Sequence, residues 1–333
     1  MIIPFFITHA GCPHQCVFCN QKNITGKNEP PDASSIHASI SHYLEAHRDD
    51  EVVQVAFYGG SFTALPLTAQ TTYLEAVRPF IRSGNIESIR LSTRPDSITP
   101  DILDVLKQHG VATIELGAQS MDDEVLLLSG RGHSAADTVK AVALLREHHF
   151  VVGLQLMPGL PGDTPEAFQQ TVEQVIFLKP DFVRIYPALV IRDTPLAGLY
   201  RTGRYAPLSL DDAVLQCHQA LDRFEQAGIE VIRIGLQPTA ELERPGTILA
   251  GPWHPAFRQL VESSRFLKKM CSLLSTRDQA GTVTLYVNPA DLSTVIGQKR
   301  GNIDAVKVRY GLVVKVLADA RVQPGTISRC IPA

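Results

Sequence analysis

The chain has 333 residues, 44% of them hydrophobic, and a formal net charge of −3. That length suits one large domain with a small one, or two of medium size, and the apolar share is enough for a real core. No window approaches the run of about 20 apolar residues that a membrane helix needs, so a helical span is not expected.

The N-terminal MIIPFFITHAG is apolar for only a few residues and has no basic segment ahead of it. It reads as a first strand and not as a signal peptide. A cytoplasmic location follows as the default, where thiols stay reduced and clustered cysteines bind metal or react more often than they pair. Directly after this strand comes AGCPHQCVFCNQ (10–21), which holds half of the six cysteines, Cys12, Cys16 and Cys19, in the spacing C-x3-C-x2-C.

Further strands are expected at 52–60, 86–95, 111–119, 151–159, 181–189 and 229–237. Between them lie helical patterns such as TAQTTYLEAVRPFI, TPDILDVLKQHG, SAADTVKAVALLREHH, TPEAFQQTVEQVIFLK and SLDDAVLQCHQALDRFEQAG. Several open on a Ser or Thr cap, some with Pro in the first turn, and two close on Gly110 and Gly228. Strand–helix alternation at this spacing argues for a parallel sheet with right-handed crossovers. The expected fold is therefore α/β, a full or partial βα (TIM-like) barrel, with a doubly wound sheet as the alternative.

Read with period two, the strands are two-faced. Val55, Phe57, Ile89, Leu91, Ile114, Leu116, Val152, Leu154, Leu156, Val183, Ile185, Ile232, Ile234 and Leu236 make an apolar face suited to packing under helices. Tyr58, Arg90, Ser92, Arg94, Glu115, Gln119, Gln155, Arg184, Tyr186, Arg233 and Gln237 fall on the other face. Unpaired buried charge is costly, so this face implies a wet lumen or a bound polar ligand, with four arginines against one glutamate favouring carboxylate or phosphate.

After Gln237 the rhythm changes. A Pro- and Gly-rich stretch and a helix pattern, AFRQLVESSRFLKKMCSLL, lead to a small unit of strand, helix, turn, helix and strand. The division expected is a barrel over 1–238, a linker and helix over 239–278, and a basic unit over 279–333. From Arg265 onward eleven Lys and Arg stand against four acids. Such an end is expected to bind a polyanion, usually nucleic acid; the alternative is a basic face docked on the acidic body.

Three thiolates on one short loop make a preassembled soft-metal site. Structural zinc wants four protein ligands, and His9 or His14 is available as the fourth. An iron–sulfur cluster usually takes four cysteines, so three would leave one iron open to an outside ligand. Spacing alone leaves both metals standing.

C-x3-C-x2-C with an aromatic before the last cysteine, here Phe18, resembles the signature of the radical S-adenosylmethionine (radical SAM) superfamily. FYGGSF (57–62), STRPD (92–96), ELGAQS (115–120), GRGHS (130–134), MPGLPGDT (157–164) and IYPALVIRDTPLAGLYRTGRY (185–205) resemble one branch, the radical SAM domain of the catalytic subunit of Elongator. That subunit modifies the wobble uridine of tRNA. The resemblance covers roughly residues 1–237. It implies that Cys12, Cys16 and Cys19 hold a 4Fe–4S cluster whose open iron chelates SAM. An electron from the cluster then cleaves the cofactor to a 5′-deoxyadenosyl radical that attacks the substrate. It also implies cofactor contacts at Gly59, Gly60, Ser61, Ser92, Arg94, Gln119, Gln155 and Met157, and a flavodoxin- or ferredoxin-like electron donor.

VIGQKRGNI (295–303) resembles the core of a KH RNA-binding module, whose G-x-x-G turn clamps a nucleic-acid backbone. Gly297 keeps the first glycine and Arg300 replaces the second, so Lys299 and Arg300 are the expected phosphate contacts. Elongator's subunit carries an acetyltransferase domain after its radical SAM domain, and 333 residues leave no room for one; acetyl transfer is not expected to carry over. The expected function is a radical SAM enzyme acting on tRNA or another RNA. The alternatives are a radical SAM enzyme on a small molecule, as in tetrapyrrole decarboxylation, and a non-enzymatic zinc and RNA-binding protein.

Overall fold

The computed structural model describes residues 1–333 except 8–9, 22–23, 25–29, 47–51, 275–280 and 331–333. His9, one of the two expected zinc ligands, lies outside the described residues. The chain divides into two compact units. One comprises Met1–Ser209 with Asp222–Trp253, and the other Leu210–Leu221 with His254–Ala333.

Seven strands of the first unit form one parallel sheet: β1 (Ile2–Ile7), β2 (Gln54–Gly59), β3 (Ser88–Thr93), β4 (Val111–Gln119), β5 (Val151–Leu156), β6 (Phe182–Ile185) and, after the short β7 (Val190–Ile191), β8 (Glu230–Ile234). The order across the sheet is β1-β2-β3-β4-β5-β6-β8. The order follows the chain without reversal, which distinguishes a curled partial barrel from a doubly wound sheet, whose strand order turns back at a switch point. β7 leaves the sheet and pairs antiparallel with β9 (Ile248–Ala250).

Local sequence sets the helices between the strands. Thr164 and Thr194 cap the helices Pro165–Leu178 and Pro195–Arg201 through their hydroxyls, each followed by proline in the first turn. Ser134 and Asp137 form a reciprocal capping box at the start of Ala135–Glu147. Gly110 and Gly228 take the left-handed conformation that ends their helices.

The apolar face lies under those helices as the alternation requires. Val55, Phe57, Leu91, Ile114, Leu116, Leu154, Val183 and Ile185 are completely buried. One stretch departs from the simple period. The β6–β8 pairing slips between Val183 and Arg184, so Val231 takes the buried position expected of Ile232; beyond the strand, after Gly235 with φ 80°, Leu236 lines the inner cavity with Arg233. A bulge of this kind re-aims every side chain beyond it.

The second unit builds its own core. Phe266 and Met270, from the helix Phe257–Leu274, pack with Leu285, Val295, Val306 and Val314. β10 (Thr282–Val287) and β11 (Val313–Ala318) run parallel, joined through the helices Leu292–Ile296 and Gly301–Tyr310, and β12 (Ile327–Ser328) adds antiparallel to β10.

Candidate active site

The register of the sheet places its inward polar residues side by side. Phe6 neighbours Tyr58, Ser92 neighbours Glu115, and Gln155, Arg184 and Arg233 follow across β5, β6 and β8. Together they line a cavity of about 660 Å3, a volume in the range of small-molecule sites. The cysteine loop lines the same cavity, with Cys12 exposed, Cys16 buried and Cys19 half-buried.

The loop is seated by glycines and by remote segments. Gly11 and Gly60 allow its root to lie against the end of β2: a Cβ on Gly11 would stand 2.3 Å from the Ser61 carbonyl oxygen, and one on Gly60 2.1 Å from that of Ala10. Farther along, Val17 N–H donates to the Ser129 carbonyl and Leu196 N–H to that of Val17. Gln21 Nε2 donates to the Gly59 carbonyl at 2.6 Å.

Three thiols this close cannot all ionise unaided. Burial, then the neighbouring Cys16, raises the Cys12 pKa, and burial with Cys16 and Cys12 pushes Cys19 up to about 12. Arg94 and Arg131 oppose this at Cys12, and Arg131 at Cys19; the buried Arg131 also donates from Nη1 to Cys16 Sγ at 3.1 Å and from Nη2 to the Gly117 carbonyl at 2.5 Å. Among the described residues no three His, Cys, Asp or Glu side chains converge on one point as a mononuclear metal requires. An iron–sulfur cluster is held by cysteine thiolates, and Cys12, Cys16 and Cys19 would supply them here. The donor set thus fits a cluster: three soft thiols, a cavity in front of them and a buried guanidinium to balance anionic charge.

The inner wall is organised around Glu115, which is fully buried on β4. Arg184 Nε lies 2.7 Å from its Oε2 and Arg90 Nη2 3.0 Å from its Oε1. The Tyr58 hydroxyl donates to Oε1 at 3.1 Å and Gln155 Nε2 to Oε2 at 3.1 Å. Burial works against the Arg184 charge, but Glu115 and the adjacent tyrosines hold its pKa above the usual range. Burial and Glu115 likewise keep the Tyr58 hydroxyl protonated.

Most of the residues singled out in the sequence meet here. Gly59, Gly60, Ser92, Arg94, Gln119, Gln155 and Met157 all line the cavity. Gln119 takes a left-handed backbone, and among the described residues its buried Oε1 has no hydrogen-bond partner, leaving an acceptor for a ligand N–H. Two expectations change. Ser61 does not reach the cavity; it is completely buried, its hydroxyl 3.3 Å from that of Thr93. Arg94 is not free to clasp a carboxylate, because Nε and Nη2 bind Asp96 in a fork at 2.9 and 3.0 Å and Nη2 also donates to the Arg131 carbonyl. Arg192, at the end of β7, staples the loop before β9 through the Gly246 and Pro245 carbonyls.

Lys299 and Arg300 lie in the second unit. Both are exposed, and both take left-handed backbone angles, φ 50° and 65°, between Gly297 and the helix Gly301–Tyr310. Among the described residues no helix is long and apolar enough to cross a membrane.

The sequence matches the family described as the radical SAM superfamily over residues 6–175 and the radical SAM C-terminal domain over 180–266. A tRNA uridine(34) acetyltransferase of Methanocaldococcus infernus is 27% identical over 256 residues, 64% of this chain and 47% of that protein. Protein YhcC of Escherichia coli K12 is 28% identical over 261 residues, 76% of this chain and 80% of that protein. The chain spans about half the length of the tRNA uridine(34) acetyltransferases it matches. Among solved structures, archaeal Elp3 of Methanocaldococcus infernus superposes with a TM-score of 0.61 at 21% identity, covering 83% of this chain and 63% of that one; at that identity the likeness speaks for the fold alone. With a family match over half its length, and a thiol triad set at the mouth of a parallel half-barrel, this chain belongs to the radical SAM superfamily, enzymes that work through a 4Fe–4S cluster and S-adenosylmethionine.

Proposed function

We propose that the chain modifies RNA, with a uridine of tRNA as the preferred substrate, at the cavity bounded by the cysteine loop and the Glu115 wall. Cys12, Cys16 and Cys19 hold the cluster in this reading. The observation that carries it is that the three thiols, the buried Arg131 and the unpartnered Gln119 Oε1 all belong to one cavity. When bound, the cluster and SAM supply reductive cleavage to a 5′-deoxyadenosyl radical that removes hydrogen from the substrate.

The chain's own residues bind, orient and shield. Arg131 balances the charge of the thiolates, and Arg94, itself fixed by Asp96, holds Arg131 in place through its carbonyl. Gln119 accepts from an amino group of the cofactor. Gly59, Gly60, Ser92, Gln155 and Met157 complete the cofactor's side of the wall, Gln155 being oriented by Glu115 and Ser92. Ile2, Pro4, Phe6 and Leu236 supply apolar lining that keeps water from a reactive intermediate.

Two things support RNA. A relative that matches 64% of the chain is named for uridine 34 of tRNA. The second unit carries the basic surplus, with Lys299 and Arg300 exposed in a turn suited to phosphate contact. Electrons would come from a flavodoxin- or ferredoxin-like donor. The test is anaerobic incubation of the reconstituted protein with SAM and total tRNA, followed by nucleoside mass analysis. A new modified uridine is expected. An unchanged nucleoside profile, with 5′-deoxyadenosine still formed, overturns the RNA assignment.

A further inference from the structure

The inner wall holds more positive charge than it neutralises. Arg90 and Arg184 share the single carboxylate of Glu115. Arg233, half-buried on β8, donates from Nε to the Gly235 carbonyl at 3.2 Å, and among the described residues no carboxylate pairs with it. Among the described residues, two guanidinium groups of the cavity, Arg184 and Arg233, therefore face one carboxylate that Arg90 on β3 already shares.

This surplus is distinct from the cations near the cysteine loop. Arg94 is satisfied by Asp96, and Arg131 is directed at Cys16 and Gly117. At the far end, Tyr186 accepts from Arg184 Nη1 at 3.4 Å and keeps its own proton to donate, while Gln237 lines the cavity beside Arg233. A cluster of donors in a partly desolvated wall, with net positive charge and, among the described residues, no acid beyond Glu115 to receive it, costs free energy unless an anion completes it. Arginine's planar fork suits an oxyanion with two or more terminal oxygens.

We infer that Arg233, with Arg184 and the Tyr186 hydroxyl, forms an anion subsite that receives a phosphate of the substrate nucleotide. The inference rests on the RNA reading above and deepens it. Arg184 orders the subsite and also neutralises Glu115; Arg233 has no second duty and sets specificity. A nucleotide entering the cavity is held by its phosphate on β8 and presents its base toward the cysteine loop. A nucleoside lacking that phosphate lacks the hold.

The test compares uridine 5′-monophosphate with uridine by ligand-observed NMR titration of the reconstituted protein, with and without SAM. The native protein is expected to favour the monophosphate by about tenfold or more, the worth of one charge-assisted contact. Arg233→Gln should abolish most of that preference and Arg233→Lys should keep part of it. Because Arg233 leaves no buried acid unpaired, the Gln variant should unfold at the same denaturant concentration as the native protein. If that midpoint falls sharply, the Lys variant decides: a reduced but remaining preference at native stability supports the subsite, and an undiminished one overturns it. Equal affinity for the two ligands, or a preference that survives in Arg233→Gln, overturns it. Displacement of the monophosphate by SAM would assign the cations to the cofactor. Displacement by malonate at lower concentration than by inorganic phosphate would assign them to a carboxylate substrate. Either result overturns the phosphate subsite. A clean Arg233-dependent preference together with an unmodified tRNA pool would sink the tRNA reading and leave the subsite standing.

Discussion

Arg131 Nη1 donates to Cys16 Sγ across 3.1 Å, and no carboxylate offsets its charge among the described residues. A buried guanidinium whose partners are a thiol sulfur and a backbone carbonyl is poorly placed for stability alone and well placed beside an anionic cluster. Arg131→Met should retain the fold, because the apolar stem is kept, but leave the Gly117 carbonyl short of a donor at a cost of about 1–3 kcal/mol. The reduced cluster is the more negative of its two redox states. Removing the cation should therefore shift the cluster's midpoint potential to more negative values, measurable by redox titration monitored by EPR. A potential unchanged from the native protein would make Arg131 a packing residue.

Cys16→Ala should abolish iron retention after anaerobic reconstitution, along with the charge-transfer absorbance and SAM cleavage. The side chain is small and its burial modest in area, so thermal unfolding of the metal-free protein should move little, by about 1 kcal/mol. Full iron content in this variant would remove the thiol triad from the ligand set.

Glu115→Gln tests the wall. The substitution keeps shape but strands Arg90 and Arg184 without a counter-charge in a site where the carboxylate is completely buried. Removing one partner of a buried ion pair costs about 3–5 kcal/mol, so the urea midpoint should fall markedly. A change under about 1 kcal/mol, the range of exposed pairs, would mean water reaches the pair and the wall is not desolvated.

His133 and Asp163 give the fold two opposing responses to acid. Burial, reinforced by Arg131 and Arg94, lowers the His133 pKa from 6.5 to about 4. The unfolded chain then binds more protons between those values, so this contribution is complete above pH 6.5 and is lost as the pH falls toward 4, by about 3 kcal/mol at most. Burial pushes Asp163 the other way, from 3.8 up to about 6, although the Gly159 N–H bonds its carboxylate. Here the folded state binds more protons, and stability rises as the pH falls from 6 to 3.8. Urea midpoints at pH 7.5 and 5 should therefore diverge between variants. His133→Leu should lose less stability on acidification than the native protein, and Asp163→Asn should lose more. Identical pH slopes in all three would mean that neither group is buried as described.

Much of this site is written in residue order, and some of it is not. The thiol triad is local, and the inward face repeats with period two, so Glu115, Gln155, Arg184 and Arg233 declare their side of the sheet before any fold is known. Arg131 has no such period. It follows a short helix, Asp123–Leu128, in a turn, and only the fold carries it back to Cys16. Arg94 misleads for the opposite reason: it lies on the inner face, but the turn at Pro95 brings Asp96 into its fork. Ser61 is one position past the glycines and already behind the wall. The slip between β6 and β8 depends on how two strands pair, which neither strand encodes alone, and it buries Val231 where the period pointed to Ile232. β7 and β9 are too short to register as strands before they meet.

Lys299 and Arg300 offer a separable test of the RNA reading. Their turn is built, not loose. Gly297 has φ +78° and no room for a side chain, since a Cβ would stand 3.0 Å from the Asn302 nitrogen, and Asn302 Nδ2 is tied to the Ser263 and Val295 carbonyls at 2.9 and 3.1 Å. Both basic side chains are exposed, so replacing them strands no buried group. The double variant Lys299→Gln with Arg300→Gln should keep the native circular dichroism spectrum and weaken tRNA binding. Each phosphate that is no longer neutralised should lower the slope of log affinity against log salt by about 0.7–0.9. Two such phosphates would flatten it by about 1.5, whereas a shape effect would lower affinity with the slope intact. An unchanged slope would move the polyanion site elsewhere among the basic residues beyond Arg265, and Lys307, Arg309 and Lys315 would be the next positions to neutralise.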